Sequence, residues 1–261
     1  MVPASSIFVM ALGAVFGIVG PFALAWWLVK KYKVHPATIV IGAATFIVFA
    51  LGLESIVHQV VLKGPNGPAI TGNIWYYALY GGLMAGLFEE TGRFLAMKYL
   101  LKKEPSGAIT GVAYGVGHGG AEILILFGVT MIANIVMSVM INGGHSDALL
   151  ATAPDQARGQ AEAQLAQLQS LSAGTVFVGM WERISALILH LGLSLMVWTA
   201  VRKGGKWLWL FPAAILLHCI VDGCTVILSK SAGMVSIELI ITALAIAIGT
   251  IGYMVSFQGI K

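Results

Sequence analysis

Charge is what this chain has least of. It carries 15 Lys or Arg and 11 Asp or Glu in 261 residues, 10% of the chain, where a soluble domain carries about 25%. That scarcity excludes an ordinary water-soluble fold. Cysteine is almost as scarce: Cys219 and Cys224 sit five apart in one apolar run, a spacing that suits neither a disulfide nor a metal site, so both read as small buried residues. No basic stretch precedes the first apolar run, which is also too long for a signal-peptide core, so it reads as a retained span. The basic residues sort by loop and form no single face. The net charge of +4 is therefore no nucleic-acid footprint.

What fills the chain is apolar: 58% hydrophobic residues and a mean hydropathy of +0.90. Apolar runs longer than about 18 residues recur from end to end, each enough to cross a ~30 Å hydrocarbon core as a helix. The runs are continuous rather than alternating, which favours helices over barrel strands. Hydropathy predicts an all-α, polytopic transmembrane bundle of about seven spans: 7–29, 37–61, 74–101, 108–141, 175–200, 207–228 and 235–257. It is one integral membrane domain over 1–261. The fourth span is 34 residues long, and must tilt, break near Gly128 or extend beyond the bilayer.

The loop charges orient it. Lys30, Lys31, Lys33, Lys98, Lys102, Lys103, Arg202, Lys203, Lys206 and Lys261 fall on one side, and only Lys63, Arg158 and Lys230 on the other. The positive-inside rule then puts the N-terminus outside and the C-terminus in the cytoplasm. The one long loop, about 142–173, falls outside. Its stretch 155–171 has Leu165, Leu168 and Leu171 at helical spacing, as a helix on the membrane surface or a solvated loop helix would. The expected location is a bacterial cytoplasmic membrane, with the lipid bilayer as partner.

Ionisable groups at bilayer depth cost about 3 kcal/mol each on insertion scales, so each is a functional signal. The third span carries Glu89, Glu90 and Arg93, the fourth His118 and Glu122, the fifth Glu182, Arg183 and His190, the sixth His218 and Asp222. Glu90, His190 and His218 each lie 12 residues from the basic residue ending their span, ~18 Å at helical rise. His118 is 15 residues from Lys103, with the turn at Pro105, Ser106 and Gly107 between. Four helices thus present a carboxylate or imidazole in one plane. Gly107, Gly111, Gly115 and Gly119 form a small-residue ridge leading to His118, where another helix can approach closely.

Arg93 can reach Glu90 at i+3 or Glu89 at i+4 and neutralise one of them, leaving the other as a candidate general base. Two chemistries fit. In one, a Glu deprotonates water and imidazoles stabilise the oxyanion; in the other, His118, His190 and His218 hold a zinc ion and a Glu is the base.

At Glu89-Glu90-x-x-Arg93, Tyr114-x-x-x-His118 and His218-x-x-x-Asp222 the chain resembles the glutamic intramembrane proteases: the CAAX prenyl endopeptidases with their bacteriocin-processing relatives, and the PrsW-type proteases. It is most similar to the YhfC branch of intramembrane metalloproteases. The resemblance covers roughly 74–228, the expected catalytic core. It implies hydrolysis of a peptide bond in a membrane-embedded or lipid-anchored substrate, with no cofactor or with zinc. It assigns Glu89 to the water, Glu90 to Arg93, His118 as the second catalytic residue, and His218 with Asp222 to the oxyanion side. Arg93 stands one position nearer the pair than in the CAAX endopeptidases, Asp222 replaces an amide, and His190 is an addition that keeps the metal reading open. A proton-coupled transporter and a non-catalytic membrane scaffold are the rival readings.

Glu122, Asp222 and Arg183 form a polar stripe pointing outward from the site, whereas 207–217 on the sixth span is apolar apart from indoles. The site is expected to open to the exterior. Glu54, His58 and Glu238 read as interfacial residues solvated near the outer end of their spans.

Overall fold

The computed structural model describes residues 1–151, 154 and 157–258. Asp155, where the expected loop helix begins, and Lys261 lie outside them. All the regular structure in the described residues is helical. The long helices are α1 (Ala4–Tyr32), α2 (Pro36–Leu62), α3 (Ile74–Leu95), α4 (Ala108–Asn142), α5 (Ala173–Lys203), α6 (Gly205–Leu228) and α7 (Met234–Phe257). Six of them, all but α3, are long and apolar enough to cross a membrane. At 22 residues α3 is long enough too, but it carries Glu89, Glu90 and Arg93.

The helix ends decide whether α3 crosses. Between α1 and α2, His35 lies 3.8 Å from Glu104, beyond the end of α3. Arg202 at the end of α5 donates to the carbonyls of Lys102 and Glu104 at 3.1 and 3.2 Å, and Lys203 to that of Val255 in α7 at 3.1 Å. These ends share one side, so the chain that leaves along α2 must return along α3. The basic loops expected to lie together are thus joined by direct contacts. Trp27 and Trp207 sit on this side with Lys31 and Lys203 over their rings, at 5.0 and 4.3 Å. The bilayer-facing surface is apolar as the spans require: Phe8, Val15, Phe22, Val40, Leu79, Leu216 and Leu239 are all more than half exposed. In water such a surface would aggregate. The molecule is an integral membrane protein.

By contacts the chain forms two compact units. One comprises Met1–Gly20 and Ile123–Arg183, the other Pro21–Glu122 and Ile184–Lys261. In the first, Asn142 brackets the N-terminal segment: its Oδ1 accepts from Val2 N at 2.7 Å and its Nδ2 donates to Val2 O at 2.9 Å. The Ser6 hydroxyl donates to Leu171 O at 2.7 Å, so the N-terminus and the long loop share a side, as expected. The loop helix spans Arg158–Ser170. Its Leu165 and Leu168, with Leu171, pack on Val9, Met10, Phe127 and Met131, so these leucines bury against the protein itself. Helix α4 does not break at Gly128; it runs on through π-helical turns at Ile123–Val129. Gly128 lies so close to Gly17 that a methyl group on Gly17 would come within 2.6 Å of its Cα.

The second unit is built on glycine contacts. On one face of α4, Gly111, Gly115 and Gly119 receive Trp198, Ser194 and His190 of α5; at Gly107, first in the predicted ridge, there is room for a side chain, and its carbonyl accepts from the Trp198 indole at 3.1 Å. On another face, Gly117 abuts the Ile39 carbonyl of α2, and Gly42 of α2 abuts that of Tyr114. On α3, Gly82 and Gly86 meet the Cys219 and Ile215 carbonyls of α6. Side chains at these positions would hold the helices apart, and a polar group reaching across would then fall short of its partner. Cys219 and Cys224 are free thiols.

Candidate active site

The groups at matching depth meet inside the second unit. Glu90, Arg93 and His118 are fully buried and Glu89, His190 and His218 nearly so. Nε2–H of His118 donates to Glu89 at 2.8 Å, and the His118 and His190 ring centroids are 4.9 Å apart. The ridge is why: with Gly119 against His190, nothing separates the two imidazoles. Nδ1 of His190 is 3.9 Å from the same Glu89 oxygen, and its Nε2 is 2.6 Å from Glu122.

Arg93 ties the second half together. Its Nη1 is 3.4 Å from Glu90, and its Nη2 is 3.1 Å from His190 Nδ1. Glu90 in turn accepts from His218 Nδ1 at 2.9 Å. A charge pair withdrawn from water is tolerable only when further hydrogen bonds offset its desolvation, and here both partners have them. Of the two carboxylates open to Arg93, it is Glu90 that the guanidinium pairs. His218 Nε2 lies 3.7 Å from Asp222, beyond hydrogen-bond distance. Asp222 is half-exposed. Arg183 lies in the first unit and pairs with neighbouring Glu182.

Three atoms in this centre are buried without a hydrogen-bond partner: Glu90 Oε2, Arg93 Nε and His118 Nδ1. Orphaned polar atoms each cost about 1–3 kcal/mol, and in a functional centre they mark where a ligand belongs. One donor atom each from Glu89, His118 and His190 also lies within 4.8 Å of the other two. Two imidazoles and one carboxylate are a donor set suited to zinc with an open fourth position. Glu122 on His190 Nε2 fixes the tautomer that leaves Nδ1 its lone pair, as carboxylates behind metal-bound histidines do. The donor set fits a divalent metal. It differs from the three-histidine set predicted from sequence, because His218 is held by Glu90.

Two residues read as interfacial belong to the interior. Glu54 is buried, accepts from His58 Nε2 at 3.1 Å, and His58 Nδ1 accepts from the Tyr80 hydroxyl at 2.9 Å. Glu238 is buried as well. Both were placed by distance to the nearest span end, which gives depth but not facing. The i, i+4 spacing of Glu54 and His58 was the available signal; the π-helical turns Ile47–Glu54, invisible to a 3.6-residue periodicity, set where Glu54 points.

A multi-helix membrane bundle enclosing a buried glutamate–histidine–arginine centre is the class of protein these features define. The sequence model of the family described as YhfC intramembrane metalloprotease matches residues 15–254, and the chain belongs to that family. It is 36% identical over 223 residues to a protein of Bacillus subtilis (strain 168) described as "Uncharacterized membrane protein YhfC", covering 84% of each chain. No solved structure matches.

Proposed function

We propose that this protein is an intramembrane endopeptidase whose hydrolytic centre is a divalent metal site, zinc by its donor set, formed by Glu89, His118 and His190. The convergence of those three donors from three helices, with Glu122 behind His190, carries the reading. The metal supplies Lewis acidity and a water acidic enough to attack at neutral pH. The chain supplies the rest. Glu122 holds the His190 tautomer. Arg93 and His218 clamp Glu90, so that this carboxylate fixes both α6 and the guanidinium. His218 Nε2, with Asp222 one turn beyond it, supplies the hydrogen bond to a substrate carbonyl.

A metal-free glutamic mechanism is the second reading, and one contact favours it. The Arg93 guanidinium donates to His190 Nδ1, the lone pair that would ligate. In that case Glu89 activates the water and His118 relays its proton.

The substrate is a membrane helix or lipid-anchored peptide that must unwind to expose a carbonyl, so Gly or Pro near the cut favours cleavage. Purified protein in liposomes should cut a transmembrane peptide with a central Gly and leave its poly-Leu counterpart intact. Elemental analysis should find one equivalent of zinc, lost together with activity on chelation. Full activity in protein stripped of metal would discard the metal site, and equal cutting of both peptides would discard the unwinding step. The site is read as opening outward. With Cys219 and Cys224 removed, a cysteine at position 122 should react with an impermeant thiol reagent from outside, and one at 217 should not react from the cytoplasm. The reverse pattern would overturn that orientation.

A further inference from the structure

With Glu89 in the donor set, Glu90 clamped and Glu122 on His190, the peptidase reading has no group assigned to move the proton. Two contacts fix where α2 lies on α3. The Phe49 ring covers Gly92 so closely that a methyl group there would strike it, and His58 bonds Tyr80 at 2.9 Å. Glu54 lies between Phe49 and His58 on α2, and Glu89 lies between Gly92 and Tyr80 on α3, so the two carboxylates share one stretch of the helix pair. On the side of α4, Phe46 packs edge-on against His118 with centroids 5.4 Å apart. On the side of α6, Cys219 abuts Gly82 and Gly223 lies against Ala78, which puts Asp222 at the level of Tyr80. Glu54 is within electrostatic reach of Glu89, His218 and Asp222. A second polar layer, Glu54, His58, Tyr80 and Asp222, therefore adjoins the Glu89–His118–His190 layer.

With Glu54 ionised and His58 neutral, the three-membered chain within this layer runs one way. Glu54 accepts only if His58 carries its proton on Nε2, which leaves the Nδ1 lone pair to accept from the Tyr80 hydroxyl. A carboxylate held by an imidazole that a third group orients is an arrangement suited to acid–base work.

We propose that Glu54 is the acid–base residue of this centre and that His58 and Tyr80 are positioning residues that aim it. This rests on the peptidase reading. Glu54 takes a proton from water as the water oxygen bonds to the carbonyl carbon. The carbon–nitrogen bond then breaks as Glu54 returns that proton to the leaving nitrogen, giving a carboxylic acid and an amine and restoring the carboxylate.

The test compares wild type, Glu54→Gln, Glu54→Asp, His58→Asn, Tyr80→Phe and Glu89→Gln in liposomes. The readouts are cleavage of the Gly-containing transmembrane peptide and zinc content. Glu54→Gln should lose about 10²–10⁴-fold in kcat while keeping its zinc; Glu54→Asp should recover part of that loss. His58→Asn and Tyr80→Phe should lower kcat about tenfold with KM unchanged, a split that a merely structural role would not produce. Glu89→Gln should lose zinc. Near-wild-type kcat in Glu54→Gln, or zinc lost from it as from Glu89→Gln, would overturn the assignment. Cleavage by wild type together with an active Glu54→Gln removes this role alone; a wild type that cuts no peptide removes the peptidase reading and this role with it.

Discussion

Both units have apolar cores, and they differ in how far glycine contacts and buried charged side chains join their helices. In Pro21–Glu122 with Ile184–Lys261, helices touch backbone to backbone at glycines, and the space between them is bridged by charged side chains in hydrogen-bond contact. Met1–Gly20 with Ile123–Arg183 has one such approach, Gly17 on Gly128; otherwise apolar side chains fill its core, and Asn142 to Val2 and Ser6 to Leu171 tie down its N-terminal segment. Glycine contacts suit a reaction centre because they leave little slack. A hydrolytic site misplaced by 1 Å loses about 10²-fold in rate. A side-chain core tolerates adjustment at smaller functional cost. The contrast yields an ordering: substitutions in the first set should strike activity and metal content, those in the second stability alone.

The largest effect is expected at Glu89 and His118. Glu89→Gln and His118→Ala should each reduce turnover by about 10⁴-fold or more, with the protein still extractable as a folded monodisperse species. Near-wild-type activity in His118→Ala would remove it from the reacting constellation.

Arg93 comes next, and it tests stability within the reactive unit. Arg93→Met leaves Glu90 buried with only His218 to face it, and breaking a buried pair in this way costs about 3–5 kcal/mol. The midpoint of unfolding in a mixed-detergent titration should fall accordingly. An unchanged midpoint would mean that the buried pair, through its contacts to His190 and His218, does not hold α3 to α5 and α6.

Glu122 should have a smaller and more selective effect. Glu122→Leu removes the acceptor behind His190 Nε2, and losing such a partner lowers metal affinity about 10–100-fold. Competition with a zinc chelator reads this directly, at saturating zinc activity should return, and unaltered affinity would show that Glu122 does not orient a ligand.

Much of the glutamate–histidine–arginine centre was legible in sequence, and the reason is physical. A charge inside the bilayer is so costly that its depth can be counted from the nearest loop charge. Glu90, His190 and His218 at equal counts did converge, and Gly111, Gly115 and Gly119 did announce the close approach that brings His190 to His118. What stayed hidden depended on facing. Equal depth made His218 look equivalent to His118 and His190; its ring does meet that of His190 edge-on at 5.5 Å, but its Nδ1 is held by Glu90. Glu54 is the last of eight π-helical residues, Ile47–Glu54, whose wider turn moves it off the face that a 3.6-residue period gives. The leucines of Arg158–Ser170 fit a membrane surface or a solvated helix in sequence alone, and only the fold shows that they cover Phe127 and Met131.

The smallest effect should come from Asn142, and it tests the comparison from the other side. Its two hydrogen bonds to Val2 join chain segments 140 residues apart, at 2.7 and 2.9 Å, so they close a very long loop. Val2 itself is buried, which leaves its backbone groups without a protein partner once the amide is gone. Asn142 is only half-buried, however, and water can take its place. A net hydrogen bond is worth about 0.5–1.5 kcal/mol, so Asn142→Ala should cost about 1–2 kcal/mol for the pair, below the cost of Arg93→Met. Its expected signature is faster backbone hydrogen exchange confined to residues 2–10, with zinc content and peptide cleavage unchanged. If cleavage fell along with that local protection, the two units would not be separable in function, and the placing of all the chemistry in the glycine-packed unit would have to be given up.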